Sequence, residues 1–277
     1  MTPDEYCQQK AAASGSSFYY AFLFLPAARR RAITALYAFC REVDDVVDET
    51  AEMQVAAAKL AWWRAEVANL YRGDPQHPVT RALGPFIEDY ALSQAHLNEI
   101  IDGMEMDLTQ TRYLDWAGLE RYCHRVAGVV GLLAARIFGY RDPRTLEYAR
   151  DLGIAFQLTN IIRDVGEDAR KNRIYLPMDE LKRFDVPAAD ILNARETPQF
   201  GALIRFQDER ARSWYDRALG ELPEPDRRAQ RPGLIMAAIY KALLDEIRRD
   251  GFRVLSRRTS LTPLRKLWIA WKTWLAA

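Results

Sequence analysis

The sequence predicts an all-α protein, on three observations. Strict alternation of apolar and polar residues is rare; Ala, Leu, Arg and Glu dominate the long periodic segments; and Pro and Gly supply the breaks between them. With 277 residues, 49% of them hydrophobic, the chain can bury one large core. No composition shift or long linker divides it, so residues 1–277 are read as a single domain. In order, a short helix covers about Pro3 to Ala13 and a long one about Pro26 to Asp48. The next, about Val55 to Tyr71, stops at the turn-rich RGDPQHP. Helices follow at about Pro78 to Tyr90, Gln94 to Leu108, Trp116 to Phe138, Pro143 to Asp168, Phe200 to Leu219 and Gly233 to Leu255, with a short one in the closing LRKLWIAWKTWLAA. No fixed-period repeat is visible.

Charge excludes one class of partner. Net charge is +1, from 39 basic and 38 acidic residues, so there is no basic field to draw nucleic acid, and any phosphate binding must be local. Cys7, Cys40 and Cys123 are an odd number at unrelated spacings, which fits reduced thiols and a cytoplasmic protein, not a disulfide frame or a metal site. The first residues include acids rather than a basic region followed by an apolar run, and no eighteen apolar residues occur together, so neither secretion nor a membrane span is expected.

Within QLTNIIRDVGED, Gln157, Asn160, Asp164 and Asp168 lie three or four residues apart, so at about 100° per residue they share one helix face. Leu158, Ile161, Ile162 and Val165 make the rest of the helix apolar, which puts the polar stripe inside a cavity. Carboxylates one turn apart repel, and desolvation adds a cost, so the arrangement makes sense with a cation between them. A solvated charged face is the ordinary origin of such a cluster, but a second stripe weighs against it. In YAFCREVDDVVD, Tyr37, Arg41, Asp44 and Asp48 share a face while Asp45 and Glu49 point away. Two acidic helices facing one another suit Mg2+, which prefers oxygen and is held by one or two carboxylates together with substrate phosphates.

Both motifs and their surroundings, from about Ser14 to the last thirty residues, resemble the squalene and phytoene synthases, which join two isoprenoid diphosphates head to head. SGSSFYYAFLFLP and YAFCREVDDVVDE are most similar to the presqualene diphosphate synthases of bacterial hopanoid pathways. The resemblance implies an isoprenoid synthase fold, a helical bundle around a central cavity. It implies Mg2+ on Asp44, Asp48, Asn160, Asp164 and Asp168, with Asp44, Asp48, Asp164 and Tyr37 catalytic. It further implies substrate contacts from Ser14, Ser17, Tyr20, Tyr37, Arg41, Gln157, Arg163, Lys171, Arg173 and Tyr240. The expected reaction joins two farnesyl diphosphates to presqualene diphosphate, with no NADPH; phytoene or dehydrosqualene synthesis is the alternative.

Several of these residues have a plainer reading beside the functional one. SGSSF is either a phosphate-binding turn or an ordinary cap. Arg41 is either a phosphate clamp or an ion-pair partner on its own helix, and the two are compatible. Lys171 and Arg173 suit a helix C-terminus in any case. Asn172, where many relatives have glycine, tolerates a left-handed turn. Gly128 and Gly131 cost about 1 kcal/mol each in a helix, offset by close packing or by room for a prenyl chain. His124 is read as structural, and His77 and His96 as surface residues. Trp268, Trp271 and Trp274 interleaved with Arg265, Lys266 and Lys272 suit either packing on the bundle or peripheral contact at an inner membrane face. A terpene cyclase and a scaffold that lost its chemistry are the rival classes. Asp48→Ala or Asp164→Ala is expected to end turnover and leave the fold as stable or slightly more so, by relieving repulsion.

Overall fold

A computed structural model describes residues 1–13, 18–22, 24–50 and 52–276, with the backbone alone for Tyr19 and Tyr20. Its helices are α1 (Pro3–Ala13), α2 (Phe18–Phe22), α3 (Ala27–Glu49), α4 (Met53–Tyr71), α5 (Pro78–Leu83), α6 (Gln94–Thr109), α7 (Trp116–Cys123), α8 (Val129–Phe138), α9 (Arg144–Arg170), α10 (Met178–Arg183), α11 (Ala188–Leu192), α12 (Pro198–Glu221), α13 (Arg231–Arg249) and α14 (Pro263–Ala276). The fold is all-α: among the described residues there is no strand, only an isolated parallel bridge between Arg112 and Ile174.

The long α9 is the axis of the molecule, about 40 Å at 1.5 Å per residue, and packs on α12, α8 and α13. Its approach to α8 depends on a missing side chain. A Cβ at Gly131 would stand 2.1 Å from the Ala149 carbonyl oxygen, so the helices meet backbone to backbone there. Gly131 also lines the apolar cavity described below, so close packing and room for a ligand both hold at this position. Gly128 is a packing glycine, its Cβ position 2.9 Å from His124 Nδ1. Ser93, Asp115 and Thr197 cap α6, α7 and α12 by accepting from the N–H groups of His96, Gly118 and Phe200, each worth about 1 kcal/mol. Glu66 of α4, 1% exposed, accepts from the Gln76 and His77 N–H groups, both at 2.7 Å, and so holds RGDPQHP against the bundle.

Four features depart from the sequence reading. The helix expected from Pro78 to Tyr90 ends at Leu83, because Gly84 and Pro85 tighten the chain into a 3₁₀ turn. The segment Trp116–Phe138 contains a π turn at His124–Gly128. α13 ends at Arg249 rather than Leu255, since Gly251 and Phe252 take φ of +72° and +61°. The five- and six-residue helices α2, α10 and α11 are too short to show a period. Two histidines also differ from expectation. His77 caps α5 by accepting from Val79 N–H at 3.2 Å, its ring among those of Tyr6, Trp62 and Trp63, and His96 is half-buried. No helix of the described residues is long and apolar enough to cross a membrane.

Candidate active site

α3 presents two acidic edges. On one, Glu42 and Asp45 face α1 and accept Lys10 Nζ at 3.0 and 2.8 Å, with the Tyr6 hydroxyl donating to Glu42 at 2.7 Å. On the other lie Tyr37, Arg41, Asp44 and Asp48. Arg41 straddles the two edges, donating to Asp44 at 2.5 Å and Asp45 at 2.7 Å. Burial raises the Asp44 carboxyl to about 6, with Asp48, Asp45 and Asp107 adding to the rise against the pull of Arg41. Asp48 accepts Lys171 at 3.1 Å and Arg173 at 3.2 Å. That contact is possible because the chain reverses directly after α9, with Asn172 at φ +56°. Ile174 N–H then bonds to the Thr111 carbonyl at 3.0 Å, which lays this segment alongside the chain after α6.

The α9 stripe is differently supported. Burial alone would raise Asp164, but Arg163 beside it and Arg258 from the C-terminal segment outweigh burial and hold the carboxyl below the usual range. Arg163 Nε and Arg258 Nε both lie 2.8 Å from Asp164 Oδ1. Arg258 reaches α9 because the chain crosses it at Gly166, whose N–H donates to the Val254 carbonyl at 3.2 Å; a Cβ there would stand 2.3 Å from the Leu255 carbonyl oxygen. Asp168 is the opposite case. Burial, with Asp164 and Asp107 near, pushes it up to about 7 despite Arg173 and Lys171. The Asn160 amide donates to Gln157 Oε1 at 3.4 Å, while its Oδ1 is buried with no hydrogen-bond partner. The expectation that Asp164→Ala relieves repulsion is therefore corrected: this carboxylate is stabilised as a charge by two arginines, and its removal takes an ion-pair partner from both, leaving Arg258 with Glu167 at 3.1 Å.

Asp107 of α6 belongs to the same acidic region and was not among the expected site residues. It is buried, accepts the Tyr122 and Tyr175 hydroxyls at 2.8 Å each, and burial raises it to about 6. Its charge bears on Asp44 and Asp168, and that of Asp48 bears on it, so it sits electrostatically between the two stripes. Its signal in sequence was an acid on the face of α6 that also carries the buried Ile100 and Met104.

Two cavities meet beside these stripes. A polar one of about 310 Å³ is lined by Tyr37, Arg41, Asn160, Arg163, Tyr240, Arg258 and Lys266 among others. An apolar one of about 180 Å³ shares Phe18, Tyr37 and Asn160 with it, includes Gln157, and continues past Leu36, Val130 and Phe156 to Phe138 and Pro232. Phe18 packs on Tyr37 and Phe156, with ring centroids 5.6 and 6.2 Å apart, and Phe156 packs on Tyr240 at 4.9 Å, forming an aromatic collar between the two. Burial, with Arg163 and Arg258 close by, lowers the Lys266 ammonium, as befits crowded cations. Of the expected site residues, Lys171, Arg173, Asp44, Asp48, Asp164 and Asp168 line neither cavity, and Lys171 and Arg173 lie at Asp48. Ser14, Ser17 and the Tyr20 side chain lie outside the described residues. Among the described residues no three His, Cys, Asp or Glu side chains gather into a group that could hold a metal ion by themselves.

One cavity is lined by cations and the other by apolar side chains, and comparison with known proteins places the chain in a family. The family model for squalene/phytoene synthase matches residues 11–265. The chain is 36% identical to a 15-cis-phytoene synthase of Synechococcus elongatus over 95% of its own length and 89% of that protein's. Among solved structures, it is similar to a dehydrosqualene synthase in complex with ligand, with TM-score 0.87 and 28% identity over 98% of this chain and 95% of that one. It is also similar to squalene synthase HpnC from Alicyclobacillus acidocaldarius, with TM-score 0.81 and 29% identity over 90% of this chain and 94% of that one. Fold, motifs and matched length together make the chain a member of the squalene/phytoene synthase family.

Proposed function

We propose that this protein condenses two prenyl diphosphates head to head with release of diphosphate. The observation that carries the reading is the junction at Tyr37 and Asn160, where an arginine-lined polar cavity opens into an apolar one. Arg41, Arg163, Arg258 and Lys266 would take diphosphate oxygens through charge-assisted hydrogen bonds, and the prenyl tail would lie past the aromatic collar. The residues fit Mg2+: the donors are all oxygens, Asn160 Oδ1 is buried without a partner, and among the described residues no closed protein cage competes with phosphate ligands. Asp44, Asp48, Asn160, Asp164 and Asp168 would hold it. When bound, it supplies Lewis-acid stabilisation of the charge that develops on departing diphosphate.

The chain's own groups account for the rest. Once the allylic carbon–oxygen bond of one substrate breaks, the double bond of the other attacks the resulting cation. Loss of a proton to the released diphosphate closes a cyclopropane that retains one diphosphate. Tyr37, Phe18 and Phe156 offer aromatic faces that stabilise a cation without trapping it. The apolar wall excludes water, which would quench the cation to an alcohol.

Two finer readings follow. The phytoene synthase relatives favour twenty-carbon substrates and a phosphate-free conjugated triene, and theirs is the better-supported reading. The motifs SGSSFYYAFLFLP and YAFCREVDDVVDE, with the likeness to HpnC, favour two farnesyl diphosphates and presqualene diphosphate. Neither reading calls on NADPH, and the partners are prenyl diphosphates and a lipid surface met by α14. Product analysis with fifteen- and twenty-carbon diphosphates, with Mg2+ and with or without NADPH, decides. A triene from the twenty-carbon substrate supports phytoene synthesis, and a product retaining one diphosphate from the fifteen-carbon one supports presqualene synthesis. A cyclic hydrocarbon from a single substrate, or no consumption, would overturn the proposal.

A further inference from the structure

The far end of the apolar cavity adjoins a second cleft of about 590 Å³, and Pro232 lines both. Arg29, Arg141, Arg228 and Arg231 line this cleft together with Phe24 and Trp274. Among the described residues none of the four makes an ion pair with a carboxylate, unlike Arg41, Arg163 and Arg258 at the mouth. The acid in the lining, Asp226, is buried and already engaged: it accepts from Arg141 N–H at 2.8 Å, Asp142 N–H at 3.0 Å and the Thr145 hydroxyl at 2.7 Å. Arg231, at the first turn of α13, stacks over Trp274 at 5.3 Å with its Nε buried and without a partner. An anion is what these cations lack.

The neighbouring α14 is inside out. A surface helix normally buries its apolar stripe, yet Leu264, Leu267, Trp268, Trp271 and Leu275, at i, i+3, i+4, i+7 and i+11, are all exposed, Leu264 to 79% and Trp268 to 60%, while the face with Ala270 is buried. The stripe ends near the cleft, where Trp274 stacks on the exposed Phe24 with ring centroids 5.5 Å apart. α14 carries three cations and no acid. Arg265 is tied to Glu246 at 2.7 Å and Lys266 lines the polar cavity, so Lys272 and the arginines of the cleft are the cations on this side of the molecule. A bilayer with phosphate headgroups answers both features: tryptophans suit its interface, and phosphates suit unpaired arginines.

Resting on the reading that α14 meets a lipid surface, we propose that its outer face docks on an anionic phospholipid bilayer, with the arginines of the adjoining cleft taking headgroup phosphates. The deep end of the apolar cavity then lies against the bilayer. The test is flotation of the full chain with vesicles of phosphatidylcholine alone or mixed with phosphatidylglycerol. Wild type should float with the mixed vesicles and lose binding as salt rises. Arg141→Gln with Arg228→Gln, both exposed side chains, should weaken binding about 30-fold, at about 1 kcal/mol per cation near the surface. Trp268→Ser with Trp271→Ser should abolish flotation while leaving turnover of detergent-dispersed prenyl diphosphate unchanged. Equal binding to both vesicle types, unchanged binding in either double variant, or a dimer in solution that the tryptophan variant dissolves would overturn the proposal.

Discussion

The stripes on α3 and α9 read alike in sequence and are held differently in the structure. Asp48 is met by two cations from one segment, Lys171 and Arg173, while Asp44 shares Arg41 with Asp45. On α9 the support is unequal: Asp164 is gripped by Arg163 and Arg258, whereas Asp168 is half-buried, raised to about 7, and has no ion pair among the described residues. The lesson is that spacing places acids on a face, but the cations that decide each acid's charge come from chain far away in sequence.

The largest expected effects test whether both stripes serve one reaction. Asp48→Ala and Asp164→Ala should each lower kcat at least about a thousandfold, the scale of losing a major electrostatic contribution to the transition state. The comparison then predicts a divergence: Asp164→Ala lowers the melting temperature of the metal-free protein, because Arg163 and Arg258 lose their shared carboxylate, and Asp168→Asn raises it. Equal shifts in both variants would erase the distinction between the two acids.

Asp107→Leu should cost on the order of 2–4 kcal/mol in urea unfolding, since it leaves the buried Tyr122 and Tyr175 hydroxyls without an acceptor, and Asp107→Asn should recover most of it. Failure of the asparagine to rescue would mean that charge, not hydrogen bonding, matters at this position.

The pH profile sharpens the contrast further. Asp168 at about 7 in the fold against about 3.9 unfolded means that the native state holds its proton more tightly. Stability of the metal-free protein is therefore highest below about pH 4 as far as this group is concerned, and falls as pH rises through about 7, by on the order of 4 kcal/mol at about 1.4 kcal/mol per pH unit. Asp44 and Asp107, raised to about 6, act in the same sense over a narrower window. Thermal melts between pH 4 and 8 should show Asp168→Asn with the flatter profile; parallel profiles would remove Asp168 as the source.

A smaller effect isolates the remote support of α9. Gly166→Ala pushes the crossing segment away and with it Arg258, so KM for the prenyl diphosphate should rise several-fold, matching Arg258→Gln, with kcat less changed. A KM that moves in only one of the two variants would uncouple Gly166 from Arg258.

Much of the fold was legible because long helices repeat their pattern many times: α3 and α9 came out within two residues of their ends. The break at Pro85, the π turn and the short helices α10 and α11 were not, since each depends on local geometry or too few residues to show a period. Of the site, the two stripes were legible as faces. Arg258, Lys266 and Asp107 were not, because only the crossing at Gly166, the docking of α14 and the Tyr122–Asp107–Tyr175 hydrogen bonds bring them there.

On the proposed reading the arginine-lined pocket and the two acidic stripes bind one ligand, a diphosphate carrying Mg2+. Titration calorimetry with inorganic diphosphate tests this most directly. Binding should be strong only when Mg2+ is present, and should be lost alike in Asp48→Ala, on one stripe, and Asp164→Ala, on the other. Diphosphate binding that persists undiminished in EDTA, or that survives loss of either aspartate, would contradict it.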